Sequence, residues 1–200
     1  MPSDEPTVVE RYSDGSVRSE DWYVDGKLHR TDGPAVVEYR PDGTVRAEVW
    51  FVDDKPHRID GPARVWYHPD GTVELEEWYI DGELHRTDGP ARVWCRPDGT
   101  VKSETWLADG KRHRIDGPAV VRYHPDGTVT ETWYLDGTKV EPWEALGRYL
   151  LRQGTPGLST EALKQIAKDV PWQRWSELGP DHPLVALWGT VHPSAEISAG

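Results

Sequence analysis

A hexapeptide that combines histidine, arginine and aspartate occurs four times in this chain. It reads HRTDGP or HRIDGP and begins at His29, His57, His85 and His113. A histidine close to a carboxylate can act as an acid–base pair, and both residue types also ligate zinc. A glutamate precedes each of these histidines by nine residues, at Glu20, Glu48, Glu76 and Glu104. The hexapeptide is therefore a candidate for a catalytic or a metal-binding site.

The spacing of the copies argues against both kinds of site. If each copy belongs to a unit of two strands, equivalent atoms in neighbouring units lie roughly 10 Å apart. Zinc–nitrogen bonds are about 2 Å long, so neighbouring histidines cannot share one ion. Four copies of a His–Asp pair with no obvious cleft are typical of a structural ladder. We expect no metal ion, no cofactor and no enzymatic activity, and an enzyme that uses a His–Asp pair is the alternative.

The hexapeptides belong to a longer sequence pattern that recurs every 28 residues. Such a period is typical of a repeat protein, and the repeats begin at residues 6, 34, 62, 90 and 118. We divide the chain into a repeat region, 1–140, and a helical C-terminal cap with a loose end, 141–200. Three residue types recur at this period, and we expect them to form a structural ladder along the repeats. They are Glu48, Glu76, Glu104, His57, His85, His113, Trp50, Trp78 and Trp106.

Each repeat predicts two strands and two tight turns. In the third repeat Ala63–His68 and Val73–Ile80 alternate and are rich in Val, Trp and Tyr. The PDG between them places proline at position i+1 of a turn, and the following DG favours a type I′ hairpin turn. The fold class is therefore mainly β: a single-layer antiparallel meander of five β-hairpin repeats, about ten strands, with a small α-helical C-terminal cap.

A change of spacing in the last repeat predicts β-bulges in the others. Val45 and Trp50 are five residues apart, as are Val73 and Trp78, whereas Val129 and Trp133 are four apart. One extra residue restores two side chains at an odd separation to the same face of a strand. We expect a bulge near 46–48, 74–76 and 102–104, and none near 130.

The two faces of the predicted sheet differ in how much they vary between repeats. One face, here named the ladder face, carries the repeated Glu and Trp, and we expect each Glu to pair with a repeated His or Arg. The opposite face, here named the variable face, carries exposed Trp and Arg, which dominate binding sites between proteins. The candidate partner-binding residues on it are Arg64, Trp66, His68, Arg92, Trp94, Arg96, Arg122 and His124.

The segment Trp22–Thr44 resembles the MORN repeat. Its tryptophan, glycines, lysine, histidine and tyrosine match that pattern in order, at Trp22, Gly26, Lys27, His29, Gly33, Tyr39 and Gly43. The HRTDGP segment makes the unit about five residues longer, so it is more similar to bacterial MORN-variant repeats, including those of antitoxin-type proteins. The resemblance covers residues 6–140 only. It implies a non-enzymatic module that binds proteins or lies near membranes.

Charge and cysteine content limit the partners and the compartment. The chain carries 35 acidic residues against 23 Lys and Arg, so we expect no nucleic-acid partner and no direct binding to anionic lipid. The net charge favours a basic partner, whereas the Arg-rich variable face favours an acidic segment. Cys95 fills a slot that is tyrosine in other repeats, and a single cysteine suits a reducing compartment. Without a signal-peptide pattern at the N-terminus, we expect a cytoplasmic protein.

The C-terminal region predicts helices. Pro142–Gly154 begins with proline and ends with glycine, and Leu146, Tyr149 and Leu150 form one stripe. A second helix follows Ser159, and two shorter ones follow Pro171 and Asp181. These helices either cap the last strand or recognise a partner through Trp172, Trp175 and Trp188.

The preferred functional hypothesis is a protein-binding repeat module of an antitoxin or immunity type. It binds its partner on the variable face or on the helical tail. The alternative from another class is a structural scaffold or membrane-proximal tether. The first strand, Thr7–Tyr12, lacks a neighbour on one side, and open edges pair with other chains. We therefore expect a weak homodimer through residues 6–12, or the addition of a partner's strand at that edge.

Overall fold

The computed structural model describes residues 5–155, 157–179 and 181–183. These residues form nineteen strands, which in chain order are β1 (Val8–Arg11), β2 (Val17–Asp21), β3 (Tyr23–Val24), β4 (Lys27–Leu28), β5 (Val36–Tyr39), β6 (Val45–Val49), β7 (Phe51–Val52), β8 (Lys55–Pro56), β9 (Arg64–Tyr67), β10 (Val73–Glu77), β11 (Tyr79–Ile80), β12 (Glu83–Leu84), β13 (Arg92–Cys95), β14 (Val101–Thr105), β15 (Leu107–Ala108), β16 (Lys111–Arg112), β17 (Val120–Tyr123), β18 (Val129–Leu135) and β19 (Thr138–Val140).

Eleven of these strands form one antiparallel meander, in the order β1-β2-β5-β6-β9-β10-β13-β14-β17-β18-β19. Each repeat contributes two consecutive strands, because every strand pairs with the one that precedes it in the sheet. The expected mainly β meander of hairpin repeats is confirmed. It has one strand more than the ten we expected, because β19 turns back onto β18.

The second strand of each of the first four repeats is interrupted at its tryptophan. We expected Val73–Ile80 to be continuous, but β10 ends at Glu77 and β11 pairs with β12 in a separate short hairpin. The amide of Trp78 donates to the carbonyl of Ala91 at 2.8 Å, and its carbonyl accepts from the amide of His85 at 3.0 Å. The chain therefore changes hydrogen-bonding partner at the tryptophan. In the last repeat β18 runs through Trp133 without a break.

Both predicted turns are present. At the tip of each short hairpin two successive residues have positive φ, as at Asp81 (51°) and Gly82 (89°), and this is the signature of a type I′ turn. At the tip of each long hairpin the glycine of PDG has positive φ, as at Gly71 (84°). The carboxylate of Asp70 accepts hydrogen bonds from the amide and the hydroxyl of Thr72, which fixes the turn.

The expected β-bulges are confirmed in the described pairings. Tyr39 pairs with Val45 and Glu38 with Ala47, so Arg46 is the extra residue. The same register shift leaves Glu74 and Lys102 as extra residues in the next two repeats, and Arg18 in the first. The absence of a bulge near residue 130 stays a prediction.

The described residues form two compact units. The first contains the residues before His113 together with Val120–Glu131. Its ladder face buries a row of small and β-branched side chains at the repeat period, Ala35, Val37, Ala63, Val65 and Ala91. The second unit contains His113–Ala119 and the described residues from Thr132 onward. It has its own core, in which the last hairpin packs against the helices.

Three helices follow the sheet: α1 (Pro142–Arg152), α2 (Thr160–Asp169) and a 3-10 helix (Trp172–Glu177). The helix α1 begins with proline after the Glu141 N-cap and buries the predicted stripe, whereas Ser159 caps α2 by accepting from the amide of Ala162. The expected helices after Pro142, Ser159 and Pro171 are therefore confirmed. The helix expected after Asp181, with Trp188, and the expected loose end lie outside the described residues, apart from 181–183.

Candidate partner-binding face of the sheet

The repeated glutamate of the ladder face is bonded to a tyrosine of the next repeat. The hydroxyl of Tyr67 donates to Oε2 of Glu48 at 2.6 Å, and Tyr39–Glu20 and Tyr123–Glu104 repeat this bond at 2.7 and 2.9 Å. For these three glutamates our expectation of a Glu–His or Glu–Arg pair was wrong. Glu48 lies opposite Val65, so the tyrosine two residues further on the same face is its diagonal neighbour and within reach.

The ladder of Glu–Tyr bonds is broken at Cys95, which takes the place of tyrosine in the fourth repeat. Among the described residues no tyrosine hydroxyl takes that place beside Glu76. Burial raises the pKa of the Glu76 carboxyl, and Arg86 offsets part of this effect. Burial also raises the pKa of the Cys95 thiol, and the carboxylates of Glu76 and Glu104 add to the shift. The thiol is therefore kept protonated, which disfavours a nucleophilic role.

The arginine of the hexapeptide packs on a tryptophan and fixes the loop. The guanidinium of Arg86 lies 4.1 Å from the ring centroid of Trp78, and its Nε donates to Asp88 at 2.8 Å. Arg30 on Trp22 and Arg58 on Trp50 repeat the arrangement at 4.2 Å. Cation–π stacking and a charge-assisted hydrogen bond thus hold each loop against its own repeat.

The histidine of the hexapeptide contacts an aspartate, although not the one in its own loop. Nδ1 of His85 lies 2.9 Å from Oδ1 of Asp109 and 3.2 Å from the Asp109 amide nitrogen. A neutral Nδ1 accepts from that amide, whereas a protonated Nδ1 donates to the carboxylate, so the contact is kept in either state. In the described part of the chain no three His, Cys, Asp or Glu side chains converge as a metal site would require.

Five of the eight candidate binding residues are engaged in bonds or ion pairs within the sheet, and three of these are His68, Arg96 and His124. Nε2 of His68 lies 3.3 Å from the carbonyl oxygen of Cys95, which belongs to the next repeat. Arg96 donates to the carbonyl of Tyr123 in the same way, and Nε2 of His124 lies 2.7 Å from the hydroxyl of Thr130. Since these side chains join strands to each other, they contribute to the framework of the face.

The structure brings the two tryptophans of the variable face together. Leu75 lies opposite Trp66 on one neighbouring strand and opposite Trp94 on the other. Leu75 is buried, whereas the Trp94 side chain is 36% exposed. Arg122 extends the row through Ser103, which pairs with both Trp94 and Arg122. The row is therefore an apolar strip that continues into a cation.

Arg64 and Arg92 lie beside this strip and share a carboxylate that the sequence analysis missed. Glu77 is 5% exposed, accepts a 2.6 Å bond from Nε of Arg92 and lies 3.8 Å from Nη1 of Arg64. The hydroxyl of Tyr79 donates to its second oxygen at 3.2 Å. The equivalent positions in the other repeats are Asp21, Val49, Thr105 and Thr132. An acid at this position of a strand, present in the first and third repeats only, was the signal in the sequence.

A pocket of about 380 Å³ opens at this point of the variable face. Trp66, Leu75 and Trp94 form its apolar lining, and three arginines and two glutamates surround it, Arg40, Arg46, Arg64, Glu74 and Glu77. The guanidinium of Arg46 lies 5.2 Å from the ring centroid of Trp66. Such a pocket suits an apolar side chain that is followed or preceded by a carboxylate.

The same face is acidic towards the N-terminus. Glu10, Asp21 and Glu38 line a second depression there, with Arg18 and Arg46 paired to Glu10 and Glu38. Burial raises the pKa of Asp21, and the charges of Glu10 and Glu38 add to the effect. The variable face therefore changes from acidic to basic along the repeats.

One of the tryptophans expected to recognise a partner, Trp175, is buried. Trp175 is 1% exposed and stacks on Trp133 with ring centroids 5.0 Å apart, so it belongs to the core of the second unit. Recognition of a partner by Trp175 was a wrong expectation, because its ring is enclosed.

No helix of the described residues is long and apolar enough to cross a membrane. Comparison of the sequence with protein-family models gave no match, and neither did comparison with curated proteins.

Proposed function

We propose that this protein is a non-enzymatic binding module that holds a partner protein on its variable face. The observation that carries the proposal is the Trp66–Leu75–Trp94 strip with arginines around its pocket. A partly exposed tryptophan beside a surface pocket is the side-chain arrangement of a binding hot spot. The partner segment is an extended or helical peptide that combines a large apolar side chain with an acidic one.

The charges of the face support an acidic partner segment at this position. Nε of Arg92 lies 2.6 Å from a carboxylate oxygen of Glu77 and forms a full ion pair with it. Nη1 of Arg64 lies 3.8 Å from the same carboxylate, too far for a hydrogen bond. Arg64 therefore has donors left for a carboxylate of the partner. The charges at rim positions determine which partner binds and how fast more than they determine affinity.

The resemblance to antitoxin-type repeats supports a finer version of the proposal. In that version the partner is a toxin or effector of the same cytoplasm, and the module neutralises it by covering its surface. A small toxin-like reading frame next to the gene would support this version over a scaffold.

The test is recovery of a specific partner from the native host with the full chain. Trp94→Ala removes the exposed ring and is expected to abolish recovery, because truncation of a hot-spot residue costs about 2 kcal/mol or more. The control is Leu151→Ala, which truncates an exposed side chain of α1, outside the variable face. No specific partner with wild type, or equal recovery with Trp94→Ala, would refute the proposal.

A further inference from the structure

One exposed apolar residue stands out in the loops of the repeats. The hexapeptide reads HRIDGP at residues 57–62 and 113–118, whereas the other two copies have Thr31 and Thr87 in place of isoleucine. The side chain of Ile59 is 85% exposed. Ile115, its equivalent, packs against the core of the second unit.

Ile59 borders a depression of about 530 Å³. The side chains of Trp78 and Ile80 from the following repeat line it, and Arg58 and Arg86 stand at its sides. Both arginines are already bonded to Asp60 and Asp88 in their own loops. The depression therefore combines three apolar side chains with charged side chains that are already paired to each other.

The three apolar residues of this depression have exact counterparts in the second unit. Ile59, Trp78 and Ile80 correspond to Ile115, Trp133 and Leu135, since the last repeat is one residue shorter.

In the second unit the helical tail covers these counterparts. Trp175 stacks on Trp133, and the ring of Trp172 lies 4.7 Å from the guanidinium of Arg114. Trp133 and Leu135 are consequently buried, at 6% and 2% exposure. The chain thus shows which kind of segment fits this set of side chains, namely a short helix with two tryptophans three residues apart.

We propose that the Ile59 depression is a docking site for a tryptophan-bearing helical segment of a partner protein. A second copy of this chain is a poor occupant, because its own Trp175 and Leu178 are buried and would first have to leave their core. The site lies in the loops and short hairpins, so it does not depend on the proposed role of the variable face.

The probe is a fluorescein-labelled peptide with the sequence of residues 158–179, titrated with the full chain and followed by anisotropy. Saturable binding is expected with wild type. Ile59→Thr converts the loop to the HRTDGP of other repeats, so it preserves the fold and is expected to weaken binding at least about tenfold, as loss of one buried isoleucine predicts. Ile115→Thr should not weaken binding, because the peptide occupies the open site.

Three results would overturn the proposal. They are the absence of saturable binding, equal binding to wild type and Ile59→Thr, and binding that is lost with Ile115→Thr alone, which would mean exchange with the chain's own tail. Sedimentation of the full chain without peptide completes the test. Self-association that Ile59→Thr abolishes would assign the site to a second copy instead.

Discussion

The hydroxyl of Tyr67 donates a 2.6 Å hydrogen bond to Oε2 of Glu48, which belongs to the preceding repeat. Burial and this bond to Glu48 raise the pKa of the tyrosine well above its usual value. Because the bond recurs at the repeat period, it couples neighbouring repeats, and in repeat proteins that coupling contributes much of the stability. The repeat with Cys95 is the place where the coupling is missing.

Restoring tyrosine at position 95 should therefore stabilise the chain. In Cys95→Tyr the new hydroxyl reaches Glu76 as Tyr67 reaches Glu48, and we expect a gain of about 1 kcal/mol in the free energy of unfolding. Chemical denaturation measures it. Tyr67→Phe, which leaves Glu48 without its donor, should have the opposite effect. A loss of stability in Cys95→Tyr would show that the neighbouring strands do not leave room for the ring.

The pH dependence of stability should show that Glu76 lacks a tyrosine donor. Burial raises the pKa of the Glu76 carboxyl in the folded state above its ordinary 4.5. At a pH between these two pKa values the folded chain binds more protons than the unfolded chain. The free energy of unfolding therefore falls as the pH rises through this range. Glu76→Gln should be more stable than wild type at pH 7, by less than about 1 kcal/mol because solvent screens a half-exposed group. Below pH 4.5 the difference should vanish, and a difference that grows with acid would contradict this account.

The first strand should mediate weak self-association. All four residues of β1 are exposed, and in the described sheet β1 pairs with β2 alone. We expect light scattering to show a mass that rises with concentration, and Val9→Lys to suppress the rise, because lysine on an edge strand opposes pairing. Val24→Lys is the matched control, since both valines are 40% exposed. A mass that stays monomeric for all three proteins would show that the edge is already protected.

The attachment of the tail should depend on a glycine. A Cβ at position 117 would lie 2.7 Å from Cζ of Arg114 and 2.9 Å from Cε3 of Trp172, whereas one at Gly61 would meet only the flexible Arg58. We expect Gly117→Ala to destabilise the second unit by about 1–3 kcal/mol more than Gly61→Ala destabilises the first. Near-ultraviolet circular dichroism of the stacked Trp133 and Trp175 reports the change. Equal spectra for the two variants would contradict the close approach of Trp172.

The local features of the fold could be predicted from the sequence, because turns and bulges depend on neighbouring residues. Asp-Gly fixed the hairpin turns, and the spacing of Val73 and Trp78 located the bulge. The Glu48–Tyr67 bond could not be foreseen in the same way, since it joins diagonal neighbours on adjacent strands and depends on register.

The sequence predicted which residues lie on the variable face, but it did not predict which of them contact or bond to each other. The alternation of Arg64 and Trp66 placed both on one face, and the structure sets Trp66 and Trp94 on either side of Leu75. The buried carboxylate of Glu77 was missed because a glutamate in a strand normally points to solvent. The two arginines on the flanking strands and the hydroxyl of Tyr79 compensate the cost of its burial.

The most direct test of partner binding on the variable face is site-specific photo-crosslinking in the native host. A benzoyl-phenylalanine at position 94 keeps a large ring at the exposed end of the strip, and the same residue at position 151 labels an exposed leucine of α1 as the control. We predict a discrete protein adduct from position 94 that is absent from position 151 and is lost when Trp66→Ala is added. No adduct at position 94, or the same adducts from both positions, would contradict a binding function for the variable face.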